Sequence, residues 1–368
     1  MSDSEEENTF QVIVPKKKKI LHIEGVVMRD RVHVSQSTEM MWVEKYRPKT
    51  LDDVVSHDRI VNMFRGAIHP DKKTGKYKPL SHLLLFGPPG TGKTSTILAS
   101  SRQMFGDKYK QRVYEFNASD ERGIDSVRYT FKKLAEASTD KTDNSIPPYK
   151  IIILDEADTM TQDAQSALRI VMEENSNNSI FVITCNNIHS ITLQIISRCA
   201  KFRFASIDDK SITRRLENIA KEEKITHKLH KKTIPTIVKL INGDLRKGIT
   251  SLQKCSTVCE DGKKITESDV YEYMGVMPKK LLKKYIDKCI SVENVKKVVS
   301  DIMRLGYMIY PILEHFVDFI LGHKKLSDKT KAKLCVLISR TEKNLIEGAD
   351  ENLQLEDVLS AYIVEIDK

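Results

Sequence analysis

The sequence predicts an α/β domain built on a parallel sheet, followed by two helical regions. Three observations predict it. Short apolar runs alternate with helical patterns between about residues 80 and 204, the signature of a doubly wound sheet. One of these runs, Leu83-Leu84-Leu85-Phe86, leads directly into a glycine-rich turn and then a helix. Beyond residue 211 the strand-like runs stop, and apolar residues recur at helical spacing.

The glycine-rich turn is Gly87-Pro88-Pro89-Gly90-Thr91-Gly92-Lys93-Thr94, with Ser95 opening the helix. It fits G-x-x-x-x-G-K-[ST] between a strand and a helix, the context a phosphate-binding loop requires. The glycines let several backbone N–H groups converge on one anion, and the helix adds its positive N-terminal end. Lys93 is placed to reach the β- and γ-phosphates, and the Thr94 hydroxyl to hold Mg²⁺.

A chain of 368 residues implies two or three domains. Apolar residues make up 40%, enough for sizeable cores. The net charge of +9 fits a polyanionic partner without requiring one. No apolar run approaches the roughly 20 residues that span a bilayer, and the acidic start has no signal core, so a soluble intracellular protein without a membrane partner is expected. The six cysteines are scattered, as in a reducing compartment. Cys255 and Cys259 would share a helical face, but no further ligands stand near them, and buried packing is the expectation.

Residues 1–41 read as an extension of unknown role. An acidic start precedes Lys16-Lys17-Lys18-Lys19, and recurring valines allow two or three short strands. The lysines suit a nuclear address, a phosphate contact or a solvated tail. Next, Trp42-Val43-Glu44-Lys45-Tyr46-Arg47-Pro48 is an extended lead-in, because Pro48 disfavours helix at Arg47. Past the phosphate loop, Val113-Tyr114-Glu115-Phe116 reads as a strand, and a helix follows from near Asp125 with Val127, Phe131 and Leu134 on one side. Residues 138–148 are polar and read as a surface loop.

Ile151-Ile152-Ile153-Leu154 is a buried strand ending in Asp155-Glu156-Ala157-Asp158. Two acids at that point complete a nucleotide site: Asp155 for Mg²⁺ and Glu156 as general base toward the attacking water. A further strand, Ile180-Phe181-Val182-Ile183-Thr184, ends at Cys185-Asn186, where open α/β sheets bind ligands. In the helical part, Thr266 and Asp269 form a capping-box start, and Gly275 ends that helix. The boundaries read as 42–205 for the nucleotide-binding domain, 206–276 for a helical lid and 277–368 for a helical collar.

In this order, residues 42–48, 87–94, 117–124 and 155–158, Ser166-Ala167-Leu168-Arg169, Cys185-Asn186, Ser197-Arg198-Cys199 and Gly243-Asp244-Leu245-Arg246 resemble the small subunits of replication factor C. These are the AAA+ clamp loaders of eukaryotes, archaea and some large DNA viruses. The resemblance runs from Trp42 to the end of the chain and implies an AAA+ core, a lid and a collar that mediates oligomerisation. It implies ATP and Mg²⁺ as ligands, the other clamp-loader subunits as partners in a hetero-oligomer (a pentamer), and a sliding clamp and primer–template DNA as cargo. It places Val43, Tyr46, Arg47, Val54 and Val55 around the adenine. Asn186 takes the role of the sensor orienting water, Arg246 that of the lid sensor, and Arg198 that of an arginine finger for a neighbouring subunit's ATP. Arg122, Arg128 and Lys132 are the candidates for DNA phosphate contacts, although a solvated basic face explains them equally well. Phe131 and Leu134 suit either clamp docking or core packing. Two positions depart from the family pattern: Ile170 stands where a second Arg is usual, and Ser56 where Gly is usual.

The alternative is an AAA+ DNA-remodelling motor, a helicase or branch-migration ATPase. The absence of a second strand-rich core beyond residue 204 speaks against it. A scaffold that binds ATP without hydrolysing it is a third option, disfavoured by the intact Lys93, Asp155, Glu156 and Arg198. The expected location is the nucleus for a eukaryotic host, and the cytoplasm or a viral replication site otherwise.

Overall fold

The computed structural model describes residues 40–366, apart from 56, 71–76, 78–79, 120–125, 138–145, 260–262, 290 and 325. The strands expected in residues 1–39 and the departure at Ser56 lie outside the described residues.

Among the described residues, five strands form one sheet: β1 (His82–Phe86), β2 (Val113–Asn117), β3 (Lys150–Asp155), β4 (Ser179–Cys185) and β5 (Cys199–Arg203). Their order is β2-β3-β4-β1-β5, and every pairing is parallel. The inner strands β3 and β4 are covered on both faces, which is why they read as unbroken apolar runs. The outer strands β2 and β5 bury only their first residue, and the rest alternate between half-buried and exposed. Because all five run the same way, Gly87, Asp155 and Asn186 emerge at one rim of the sheet, the rim where such folds bind ligands.

Strand alternation sorts the sheet's side chains onto two cores. Leu84, Ile152, Leu154, Phe181 and Ile183 pack with Leu168, Val171 and Met172 of the helix Gln162–Glu174. Leu83, Leu85, Ile151, Ile153 and Val182 pack with Phe64 of Asp58–Ile68 and with Ile97 and Leu98 of Lys93–Phe105.

A third core belongs to the helices Asp209–Glu222, Thr233–Leu240, Leu245–Val258 and Glu267–Met274. Ile212, Leu216, Ile219, Ile237 and Leu252 fill it, and Trp42 and Tyr46 of the lead-in segment pack into the same core. The backbone N–H of Trp42 donates to Gln253 Oε1 at 3.0 Å, pinning the segment to a lid helix. The helix Glu267–Met274 begins with the expected capping box of Thr266 and Asp269, and Gly275 ends it at φ 66°.

A fourth core joins Lys279–Ile286, Val292–Arg304, Ile309–Gly322, Asp328–Ile346 and Glu351–Ile366. The helical faces read from sequence supply it: Leu282, Val299, Leu313, Phe316, Leu334 and Leu359 are all buried. Phe316 and Tyr362 meet edge to face at 5.2 Å.

Candidate nucleotide site

The phosphate loop leaves β1 and turns at Gly87, Gly90 and Gly92, all at positive φ. Two of these glycines are also needed for space. A Cβ on Gly87 would lie 2.0 Å from the Phe204 carbonyl oxygen, and one on Gly90 would lie 1.8 Å from Asp244 Oδ1 of the lid. Thr91 Oγ1 donates to the Pro88 carbonyl at 2.9 Å and staples the turn. The helix Lys93–Phe105 starts directly after it with no acidic residue in its first turn. Its N-terminal N–H groups therefore face the loop without an internal anion.

Lys93 is buried to 8% exposure, and its Nζ donates to the carbonyls of Gly87 and Pro88 at 2.7 and 2.8 Å and to Asn186 Oδ1 at 2.9 Å. Gly87 and Pro88 thus serve the site through their backbone. Burial pushes the Lys93 ammonium below its ordinary pKa of 10.5, with Asp155 the largest opposing influence. The Lys93–Asn186 contact brings the loop lysine and the end of β4 together, as the sequence predicts.

At the end of β3, Asp155 accepts from Thr94 Oγ1 at 2.8 Å and from Thr184 Oγ1. A carboxylate and a hydroxyl meeting at the mouth of the loop are the hard oxygen donors that Mg²⁺ takes, and the residues fit that ion. Glu156 follows in the left-handed region at φ 55°, a conformation that costs a non-glycine residue roughly 1–3 kcal/mol and concentrates at functional sites. It is exposed and lines the cleft, with its N–H on Asp155 Oδ1 at 3.1 Å. Asp158 accepts from the Asn186 N–H at 3.4 Å, tying the acidic turn to the end of β4.

Val43, Tyr46, Arg47, Val54 and Val55 line one side of the cleft. Gly90, Thr91, Gly92, Thr94, Ser95, Asp155 and Asn186 line another, and Arg246 and Leu245 close it from the lid. Burial and Glu223 push the Tyr46 phenol well above its usual pKa, and its hydroxyl donates to Glu223 Oε1 at 2.6 Å. The tyrosine is therefore a neutral wall anchored to the lid.

Three contributors escaped the sequence reading. Arg215 lines the cleft and donates from Nη2 to the Tyr46 carbonyl at 2.9 Å. Thr184 orients Asp155 from β4. Asp244 caps the lid helix Leu245–Val258 by accepting from the Lys247 N–H at 3.0 Å, and the same side chain lies against Gly90. Thr184 could have been found, since it precedes the strand-end Asn186. The other two depend on tertiary approach.

Arg198 does not line the cleft of its own chain. It immediately precedes β5, at the strand-start rim of the parallel sheet and opposite the rim that holds the loop, one-third exposed and ion-paired with Glu173. Arg122 lies outside the described residues, as does the Arg128 side chain; the backbone of Arg128 lies in the π-helical turn Ser126–Phe131. Lys132 is exposed and flanked by Glu136 and Glu174 at 3.7 and 3.6 Å. Phe131 and Leu134 are buried to 1% and 6%, with Phe131 edge-on to Phe116 at 5.0 Å, so core packing and not clamp docking accounts for them. Ile170 is 45% exposed beside Arg169.

Two families match this chain: the ATPase family associated with various cellular activities (AAA) over residues 83–207, and the replication factor C C-terminal domain over residues 277–361. Replication factor C subunit 2 of Schizosaccharomyces pombe is 42% identical over 328 residues, covering 88% of this chain and 94% of that protein. The chain belongs to the replication factor C family.

Subunit 4 of Homo sapiens is 41% identical over 320 residues, covering 85% of each chain, and subunit 2 of Oryza sativa subsp. japonica is 39% identical over 328 residues, covering 88% of this chain and 94% of that protein. The replication factor C chain described here is accordingly an AAA ATPase with a clamp-loader function, and the motor alternative is not favoured. No helix among the described residues is long and apolar enough to cross a membrane.

Proposed function

We propose that this subunit binds ATP with Mg²⁺ in the cleft between loop, lead-in segment and lid, and that hydrolysis there drives loading of a sliding clamp onto primer–template DNA within a hetero-oligomer. The observation that carries the reading is the convergence of Lys93, Asn186, Thr94 and Asp155 at one rim, under a lid that presents Arg246. The loop N–H groups and Lys93 would hold the phosphates, and Thr94 and Asp155 the metal. Bound Mg²⁺ would neutralise charge developing on the transferred phosphoryl group. Val43, Tyr46, Arg47, Val54 and Val55 form the wall for the base.

Glu156, exposed at the end of β3, is the general base toward water, and Asn186 orients that water. Arg246 senses the nucleotide from the lid helix. Arg198, which does not line its own cleft, serves the ATP of a neighbouring subunit, so the site works only in the assembly. DNA phosphates are met by the segment carrying Arg122, Arg128 and Lys132. The collar of residues 277–368 supplies the oligomer contacts, the lid of 206–276 closes on ATP, and residues 42–205 hold it. The subunit works in the nucleus, as befits a chain whose relatives named above are eukaryotic.

The test is ATP turnover by the reconstituted complex, with and without clamp and primed DNA. Stimulation by both is expected. Arg198→Ala should lower turnover at the neighbouring site by roughly 10³–10⁵ while leaving nucleotide binding by the variant chain intact. Full turnover by the lone chain, insensitive to loss of Arg198, would refute the shared-site reading.

A further inference from the structure

We infer that Glu173 is the positioning residue of the Arg198 guanidinium, holding it in the orientation in which it meets a neighbouring subunit's nucleotide. This rests on the reading of Arg198 as a finger that acts in trans. Arg198 lies between the short helix Leu193–Ile196 and β5, and its guanidinium is gripped at both ends. Nη2 is ion-paired with Glu173 Oε1, and Nη1 donates to the Gln194 carbonyl at 2.6 Å and, more weakly, to Ser197 Oγ at 3.4 Å. Glu173 sits in the last turn of Gln162–Glu174 and is itself fixed, because Arg169 Nη1, one helical turn back, bonds the same Oε1 at 3.2 Å.

The exposures decide what this arrangement is for. The Arg198 and Glu173 side chains are 33% and 40% exposed, and an ion pair so wet adds little to stability. Its effect is on direction. A free surface arginine samples many rotamers, whereas a planar fork held by a carboxylate and a carbonyl is confined to one. A guanidinium has five N–H donors, and these contacts leave some of them unused for an incoming phosphate. The two helices that carry the group also expose large apolar side chains, Leu193 at 81% and Ile170 at 45%, as a face covered by another protein would. Glu173 acts through Arg198 and touches no reacting atom.

The experiment uses the reconstituted complex with its partner subunits, clamp and primed DNA, and measures kcat and KM for ATP. Glu173→Gln keeps the shape and removes the charge. It should lower kcat roughly tenfold, inside the 10²-fold that misplacing a catalytic group can cost, with KM for ATP unchanged. In an Arg198→Ala background, Glu173→Gln should change nothing further. Glu173→Ala should reproduce the loss, and complexes of both variants should elute as the parent does. The inference is overturned if Arg198→Ala lowers kcat and Glu173→Gln does not, or if Glu173→Gln costs as much without Arg198 as with it. A silent Arg198→Ala would instead sink the finger reading itself, and this inference with it.

Discussion

Gly90→Ala tests the join between phosphate loop and lid. Gly90 sits at φ 70°, where a side chain costs about 1–2 kcal/mol. The new methyl would also fall 1.8 Å from Asp244 Oδ1. That carboxylate is the flexible end of a side chain and can swing aside, but only by giving up the Lys247 N–H that it accepts at 3.0 Å. Losing an N-cap of this type costs about 1 kcal/mol. Gly90→Ala should therefore destabilise by about 2–3 kcal/mol. Asp244→Ala alone should cost about 1 kcal/mol, and the double variant about 2–3 kcal/mol, because the cap is lost in both cases. The cycle thus has a coupling energy near 1 kcal/mol, well above the additivity error for independent sites. Urea unfolding followed by the fluorescence of Trp42 is the assay. Trp42 is the only tryptophan, and it is buried in the lid core that Leu245–Val258 helps form, so its signal reports the element the cap supports. Additive single effects would show that loop and cap do not touch in solution, and would refute the contact.

Three further outcomes follow from the same geometry. Glu156→Gln should keep nucleotide binding and lower kcat of the assembled complex by about 10²–10⁴, read by single-turnover hydrolysis; unchanged turnover would move the base elsewhere. Nucleotide affinity should weaken on the alkaline side sooner than an ordinary lysine predicts. The free chain's Lys93 loses its proton below 10.5, and the phosphates bind the protonated form, so affinity falls as pH rises through that depressed pKa; equilibrium titration of a fluorescent ATP analogue from neutral to alkaline pH would show it, and a flat profile would contradict it. Arg215→Ala, which removes the bond to the Tyr46 carbonyl, should weaken ATP binding roughly threefold to tenfold without changing kcat at saturation, since it supports the base wall and not the reacting phosphate.

The loop, the acidic turn and Asn186 could be placed from sequence because each sits at the end of a strand, and a parallel sheet brings strand ends together whatever their separation along the chain. Lys93 and Asn186, 93 residues apart, meet for that reason alone. The helical cores were legible from spacing. What escaped was set by approach between elements. Asp244 against Gly90 and Arg215 against the Tyr46 carbonyl leave no periodic trace, and neither does the packing of Trp42 into the lid core across more than 200 residues of chain. The strand β5 leaves a weaker trace in the sequence because Cys-Ala-Lys-Phe-Arg is an edge strand in which only Cys199 is fully buried. Phe131 and Leu134 looked available for docking because helical spacing gives a face but not what covers it. Here the sheet-side core with Phe116 and Ile152 covers it.

The placement of Tyr46, Arg215 and Asp244 bears on how nucleotide state reaches the rest of the machine. A ligand shifts a conformational equilibrium only through contacts that differ between the two states. In this chain the cleft is walled by two packed bodies: loop and strand ends on the sheet cores, and the lid with the lead-in segment packed into its core. The lead-in segment is fastened to the lid and not to the sheet, through Trp42 to Gln253, Tyr46 and Lys45 to Glu223, and Arg215 to the Tyr46 carbonyl. Val43 and Tyr46 therefore belong with Arg246 to the lid unit, whereas Val54 packs on the sheet core that carries Lys93. On the proposed reading, a nucleotide with its base on that unit and its phosphates on the loop would bridge the two, and loss of the γ-phosphate near Lys93 and Asn186 would change the bridge. Separation of the lid from the loop on hydrolysis is the expected outcome of such a bridge. Cutting it, by Gln253→Ala together with Glu223→Gln, should leave ATP binding to the loop but weaken the difference between ATP and ADP states in lid-to-loop distance measured by paired spin labels. An undiminished difference would mean that Arg246 alone transmits the signal.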